Sequence, residues 1–222
     1  MHVPPAFRLD RATSLAFAAR RGFGLVVAHD GVRPVASPLP FHLDYASDGT
    51  PRAQFHVARA NPLAALAASG GTSGGDWLIA VAGADAYVSP DWYVSPDQVP
   101  TWLYEAVHLS GPARVVPDVR AHLDRITEAF EPRAAGVQPW RADRVTPGRL
   151  AAMAQAIVAV EVAIEEVEGS AKLNQTKSDA DFVAVALRLR ESAEPMARQI
   201  SDRMVALRPH LSYEREKDVC DA

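Results

Sequence analysis

Apolar and polar positions alternate along this chain with two different periods, and the period changes from segment to segment. Between residues 10 and 21, Leu15, Phe17, Ala18 and Ala19 recur at helical spacing. From Phe23 the character changes. Gly24 to Ala28 is a short β-type run, Asp30-Gly31 predicts a two-residue hairpin turn, and Val32 to Phe41 returns. Asp48-Gly49 marks a second turn before Ala53 to Ala58. Asn61-Pro62 has the order of a cap followed by proline at the first helical position, predicting a helix through Ala68. Trp77 to Val81, Ala86 to Ser89, Trp102 to Leu109 and Arg114 to Val116 are predicted strands. Their turn spacing suits a meander or small barrel.

The second half turns helical. Val119, Leu123, Ile126 and Phe130 recur at steps of three and four and predict a helix that Pro132 ends. Thr146-Pro147 starts another. Val158, Val160, Val162 and Ile164 then alternate with Glu161 and Glu165, as in a strand with unlike faces. Gly169-Ser170 is read as a turn into Ala171 to Gln175. Ser178 and Asp181 resemble a capping box for a helix through Arg190. Ser192 and Pro195 open a last helix carrying Met196, Ile200 and Met204. Strands without regular intervening helices favour an antiparallel sheet, hence an α+β fold. The expected barrel runs from Phe23 to Val116, completed by the Val158–Ile164 strand. The predicted organisation is one domain over residues 1–222, with a core at 1–175 that includes inserted helices and a helical extension at 176–222.

Composition narrows the partners. The 222 residues carry 23 Lys plus Arg against 27 Asp plus Glu, a formal net charge of −4. This balance argues against broad charge-driven nucleic-acid binding, which needs a basic surface. An apolar fraction of 48% provides for a substantial core. The single cysteine, Cys220, forms neither an internal disulfide nor a cysteine-based zinc site, in keeping with a reducing compartment. Met1-His2-Val3-Pro4-Pro5 lacks the basic-then-apolar order of a signal peptide, and no apolar run is long enough to span a bilayer. The expectation is a cytoplasmic protein without membrane association.

Seven histidines are scattered: His2, His29, His42, His56, His108, His122 and His210. None pairs with another at ligand spacing inside a predicted helix, so no metal site is expected. His29, His122 and His210 read as ordinary surface or hydrogen-bonded residues. No hydrolase triad or phosphate-binding glycine loop is present, and no catalytic residue is assigned. Three segments carry candidate chemistry. His56 to Pro62 brings His56, Arg59 and Asn61 to a strand-to-helix junction, where backbone N–H groups favour anions and an arginine grips phosphate; a simple cap and a solvated arginine fit equally well. Tyr87 to Tyr104 gathers Ser89, Trp92, Thr101 and Trp102 in a proline-punctuated, aromatic stretch suited to a planar ligand, although such stretches more commonly form a local core. Lys172 to Lys177 offers an amine, amides and a hydroxyl, with Lys172 and Gln175 the candidates; a surface loop before a capped helix explains it as well.

These stretches resemble the PaiB family of FMN-binding negative transcriptional regulators. The matching residues are Met1 to Phe7, Leu39-Pro40-Phe41, His56 with Ala58 to Pro62, Tyr87 to Tyr93, and Val99-Pro100-Thr101-Trp102 with Tyr104. They continue with Val107-His108, Gly111, Pro139-Trp140, Ala156-Ile157-Val158, Lys172-Leu173, Gln175 and Asp181. The resemblance implies an antiparallel split β-barrel and FMN held by a homodimer. Arg59 and Lys172 would meet its phosphate or pyrimidine edge, and Trp92 and Trp102 would form an apolar wall. Leu103 stands where the family has asparagine, Gly83-Ala84 where it has Gly-Pro, and Asn174 and Thr176 where it has serine and asparagine. These departures predict weaker flavin binding and partial occupancy.

Two other readings compete with a flavin-binding regulator. One is a small flavin-dependent oxidoreductase with only an indirect regulatory effect, since fold does not settle function. The other is a DNA-binding repressor without flavin. Lys177, Arg188, Arg190, Arg198, Arg203 and Arg208 make the last helices basic, but Glu191, Glu194 and Asp202 interleave and no helix-turn-helix pattern is evident. Charge and motif therefore do not support DNA as a partner.

Overall fold

The computed structural model describes residues 1–70, 75–133 and 140–214. Cys220, Pro139 and most of the Ser69–Gly75 loop lie outside the described residues. The strands are β1 Arg8–Leu9, β2 Phe23–His29, β3 Pro34–Pro40, β4 His42–Tyr45, β5 Pro51–Ala58, β6 Trp77–Val88, β7 Thr101–Gly111, β8 Ala113–Val115, β9 Ile157–Ala163 and β10 Glu166–Lys172. The helices are α1 Arg11–Arg21, α2 Pro62–Ala68, α3 Val119–Phe130, α4 Pro147–Gln155, α5 Asp179–Arg190 and α6 Pro195–Leu207. One sheet has the order β1-β10-β7-β6-β2-β3 and the other β4-β5-β9-β8. The strand pairs β1–β10, β2–β3, β2–β6, β4–β5, β5–β9 and β8–β9 are antiparallel.

The chain divides into two compact units. One comprises residues 1–10, 82–106 and 169–222, and the other residues 11–81 and 107–168. In the second unit, Phe41, Phe55, Leu63, Trp77, Ile79, Leu109 and Ile164 are buried in one cluster. Phe55 and Trp77 stack there with ring centroids 6.3 Å apart. In the first unit, Leu103, Phe182, Val185, Leu189, Ile200 and Met204 form a separate core beneath α5 and α6. Full burial of side chains of this size stabilises by roughly 1.5–3 kcal/mol each, so both units have a substantial apolar interior.

Several local expectations change. The Asp30-Gly31 hairpin is present, but its loop has four residues. His29 pairs with Pro34, and the Asp30 carboxylate accepts from the Val32 and Arg33 amides at 2.8 Å, which widens the turn. Trp77–Val81 and Ala86–Ser89 belong to one continuous strand, β6, ending at Val88. Gly169-Ser170 is no turn. It lies inside β10, where Gly169 pairs with Leu9 and Ser170 with Arg8. On α6, Met196 is exposed, and the buried stripe is Ala197, Ile200, Ser201 and Met204.

The largest change concerns α3. Its buried residues are His122 and Ile126, whereas Leu123 is only partly covered. The helix packs on β5 and β9. There it covers a polar row formed by His42, Gln54, Glu161 and Arg114, which stand side by side in register across β4, β5, β9 and β8. Gly111 permits the chain to pass closely beside β9: a Cβ at this position would lie 1.8 Å from the Ala163 carbonyl oxygen.

Candidate functional site

The first unit gathers a donor-rich set at the end of β10. The Lys172 ammonium donates to Thr101 Oγ1 at 2.6 Å, joining two residues that the sequence places 71 positions apart. Lys177 donates to Gln98 Oε1 at 2.6 Å and lies 4.9 Å from the centre of the Tyr93 ring. The Tyr93 hydroxyl donates to Asn174 Oδ1 at 3.4 Å. Asn174 is itself 4% exposed, at a φ of 62°, a left-handed conformation that asparagine tolerates better than most residues. Its buried Nδ2 has no partner among the described residues. Burial raises the Tyr93 pKa, only partly offset by the bond to Asn174, so the hydroxyl remains a donor at neutral pH.

Gln175 serves its own loop. Its Oε1 accepts from the Leu173 amide at 2.7 Å and its Nε2 donates to the Ala171 carbonyl, so the side chain fixes the turn after β10. Asp181 ties a second loop to this one. Its carboxylate accepts from the Val94 and Ser95 amides, each at 2.9 Å, and from the Ser95 and Ser178 hydroxyls. Burial raises its pKa, but the bonds from Ser95, Ser178 and Val94 outweigh that effect and hold the carboxyl below its ordinary range. The capping-box analogy is therefore half right. Ser178 caps α5, while Asp181 reaches toward the 94–95 loop.

Ser89 caps the short helical turn Pro90–Trp92, its Oγ accepting from the Asp91 amide at 3.3 Å. Trp92 packs on the first unit's core. Trp102 is 54% exposed and meets Tyr87 edge-on at 6.1 Å. Along β7 exposed Trp102 alternates with buried Leu103, so the two occupy opposite faces of the strand. Leu103, in place of the family's asparagine, is accordingly a core residue.

The second unit contains the other three candidates, each turned to a different partner. Arg59 donates through Nε to the Gln155 carbonyl at 2.9 Å and through Nη2 to the Ile157 carbonyl at 3.0 Å. It thereby caps the carbonyl end of α4, where positive charge is favourable. Asn61 Oδ1 accepts from the Leu63 amide and its Nδ2 donates to Ser37 Oγ, so the predicted cap of α2 is present. His56 Nδ1 lies 3.0 Å from His122 Nε2.

Sequence reasoning missed the group around His56. His122, expected to be a surface or hydrogen-bonded residue, is completely buried and hydrogen-bonded to His56, and its ring centre lies 5.3 Å from that of His56 and 6.0 Å from that of His42. Among the described residues, both ring nitrogens of His42 and Nδ1 of His122 are buried without partners. Burial, and then the neighbouring His56, His42 and Arg125, push the His122 pKa down to about 3. Burial likewise lowers those of His42 and His56. The three imidazoles are thus neutral at pH 7. Beside them, buried Glu161 accepts from Gln54 at 2.8 Å and from Arg114 at 2.8 and 3.0 Å, with Arg52 3.5 Å away. Among the described residues no group of three or more His, Cys, Asp or Glu side chains is arranged to hold a metal ion. The strict alternation of Arg52, Gln54 and His56 with Ala53, Phe55 and Val57 was the available signal. It identifies a polar strand face but not the helix covering it.

Comparison with known proteins places these observations in a family. Residues 1–166 match the family model described as "Putative FMN-binding domain". Over 207 residues the chain is 28% identical to the protease synthase and sporulation protein PAI 2 of Bacillus subtilis (strain 168), covering 92% of this chain and 96% of that protein. Among solved structures, it is similar to the flavocytochrome Anf3 from Azotobacter vinelandii, at 20% identity and a TM-score of 0.53, covering 77% of this chain and 72% of that one. It is also similar to the FAD and heme binding protein from Mycobacterium smegmatis, at 19% identity and a TM-score of 0.52, covering 79% and 77%. At these identities the likeness speaks for the fold, which is the antiparallel split-barrel type with additional helices. No described helix is long and apolar enough to cross a membrane.

Proposed function

Because the chain belongs to the PaiB-type FMN-binding family, we propose that it is a negative transcriptional regulator that acts as a flavin-bound homodimer in the cytoplasm. The observations that carry the site assignment are the Lys172–Thr101 pair and, two residues further along the chain, a buried Asn174 amide without a partner among the described residues. FMN presents acceptors at its phosphate and pyrimidine edge. Lys172, Lys177 and Asn174 offer donors, and Lys172 pairs with no carboxylate among the described residues. The donor set therefore fits this cofactor.

In this reading Lys172 binds an acceptor edge of FMN, and Thr101 holds the ammonium in place. Arg59 is proposed as a further phosphate donor: its Nε meets the Gln155 carbonyl at the end of α4, one Nη2 donor meets the Ile157 carbonyl of β9, and its remaining N–H groups would supply the contacts. Trp92 and Trp102 provide apolar surface, Trp102 from an exposed position that a second copy would cover. His56, Asn61, Ser89 and Gln175 support the binding segments through the contacts given above. The bound flavin supplies reversible electron acceptance, and a positive charge near its pyrimidine edge favours the reduced anion.

Repression is proposed to act without strong DNA binding by this chain alone. Three of the arginines at the last helices already have intramolecular partners. Arg203 pairs with buried Glu105 at 2.8 Å, Arg198 meets the Ser192 and Ala193 carbonyls, and Arg208 pairs with Asp179. The test is gel filtration of protein mixed with FMN, followed by absorption spectroscopy and light scattering. A flavin band eluting with a dimer supports the reading, and a flavin-free monomer at micromolar concentration contradicts it.

A further inference from the structure

The loop from Leu173 to Ser178 lies between β10 and α5, carries Asn174 and Lys177, and follows Lys172 directly. Within it the Lys177 amide donates to the Asn174 carbonyl at 3.0 Å, Gln175 Oε1 accepts from the Leu173 amide, and the Ser178 carbonyl accepts from the Phe182 amide at the start of α5. The Gln175 and Lys177 carbonyls are met from the end of α6. Arg208, the residue that ends α6, donates through Nη2 to the Gln175 carbonyl at 2.9 Å and to the Lys177 carbonyl at 3.2 Å. Through Nη1 it reaches the Lys177 carbonyl at 3.2 Å and Asp179 Oδ1 at 2.6 Å. Its guanidinium lies 4.3 Å from the centre of the buried Phe182 ring, and the side chain is only 18% exposed.

Arg208 is held in turn. Its own carbonyl accepts from the Tyr213 hydroxyl at 3.0 Å and from the Leu211 amide at 3.2 Å. A planar fork that meets two loop carbonyls and the first carboxylate of α5 fixes backbone direction as a single-point ammonium does not. Its stacking on Phe182 adds a desolvated cation–π contact. All these residues follow position 166, where the match to the family model ends.

We propose that Arg208 is a positioning residue for ligand binding: it clamps the 173–178 loop in the shape that presents Lys172, Asn174 and Lys177 together. The inference rests on the flavin reading for the identity of the ligand, but not for the clamp itself. The C-terminal helix pair thus becomes part of the binding apparatus.

The test compares wild type with Arg208→Lys, which keeps the charge and loses the fork, and Arg208→Met, which loses both. Arg203→Met serves as the control, because it breaks another α6 ion pair, the one with Glu105. FMN affinity is measured by flavin fluorescence, and loop order by amide hydrogen exchange without FMN. The expected results are exchange at residues 174–177 at least about tenfold faster in both Arg208 variants and an FMN Kd raised about tenfold. Arg203→Met should change neither. Unaltered loop exchange in Arg208→Lys would overturn the clamp, and so would an equal loss of affinity in Arg203→Met. If wild type bound no FMN, the flavin reading alone would fall. The exchange comparison would still decide the clamp.

Discussion

His56 and His122 meet at 3.0 Å between β5 and α3, so a helix docks on a sheet through two neutral imidazoles. Protonating either one places a charge among His42, Arg125 and buried surface. The His122 pKa is depressed to about 3 from its ordinary 6.5, so the unfolded chain takes up a proton first as the pH falls. Its contribution to stability is complete above about pH 6.5 and is lost progressively on the way to pH 3. At pH 5 the loss from this residue is roughly 2 kcal/mol, at about 1.4 kcal/mol per pH unit, and the lowered values of His42 and His56 act in the same direction. Urea unfolding at pH 7.5 and pH 5 should show the decline, and His122→Gln should flatten it. Equal midpoints at the two pH values would contradict it.

Glu161 has a comparable part in neutral solution. It is the one carboxylate of the polar row beneath α3, flanked by Arg114, Arg52 and Gln54. Glu161→Gln leaves those arginines facing a neutral amide inside the protein. Breaking a buried pair from one side costs about 3–5 kcal/mol, and the partial exposure of Arg114 places this case toward the lower end. Chemical denaturation would measure the loss. A change under about 1 kcal/mol would show that solvent reaches the row.

Two glycines should respond in opposite ways to alanine. Gly111→Ala drives a methyl into the Ala163 carbonyl, which can yield only if β7 and β9 move apart. Little folded protein is expected. Gly148 lies in α4, where an added methyl would meet nothing within 4 Å, so Gly148→Ala should stabilise by about 0.5–1 kcal/mol. Thermal unfolding of the two variants gives the comparison directly.

Much of the fold was legible because local rules agreed with the tertiary outcome. Asn61-Pro62 and Ser178 capped their helices as expected, and β9 fell on the Val158–Ile164 alternation. The failures came where a tertiary partner replaced solvent. Leu123 appeared to lie at the centre of the α3 face, but the sheet beneath is polar and receives His122. Gly169-Ser170 has the composition of a turn, yet β1 and β10 pair there. At the candidate site, the sequence marks Lys172 and Thr101 separately, 71 positions apart, and their direct contact is not legible in it. The sequence sets Arg59 beside Asn61 at the start of α2, whereas the Arg59 side chain caps the end of α4. That choice depends on chain 96 residues away.

Direct DNA recognition should be weak. The formal net charge is −4, and the α6 arginines have intramolecular partners. Fluorescence anisotropy with duplexes from the gene's own upstream region, at physiological salt, should give no nanomolar affinity and little discrimination against random sequence. Nanomolar, sequence-selective binding by the chain alone would refute this expectation.

The flavin assignment is tested most directly by titrating FMN into wild type, Lys172→Met, Arg59→Met and Arg198→Met while following flavin fluorescence. A charge-assisted hydrogen bond contributes on the order of 1.5–3 kcal/mol, so losing the Lys172 ammonium should weaken binding roughly tenfold to a hundredfold. Arg59→Met should act similarly, and Arg198→Met, whose guanidinium meets the Ser192 and Ala193 carbonyls, should match wild type. Saturable binding with that order of affinities is the predicted result. Equal affinity in wild type and Lys172→Met would contradict the site, and no saturation up to about millimolar FMN, a binding free energy of only about 4 kcal/mol, would contradict the cofactor itself.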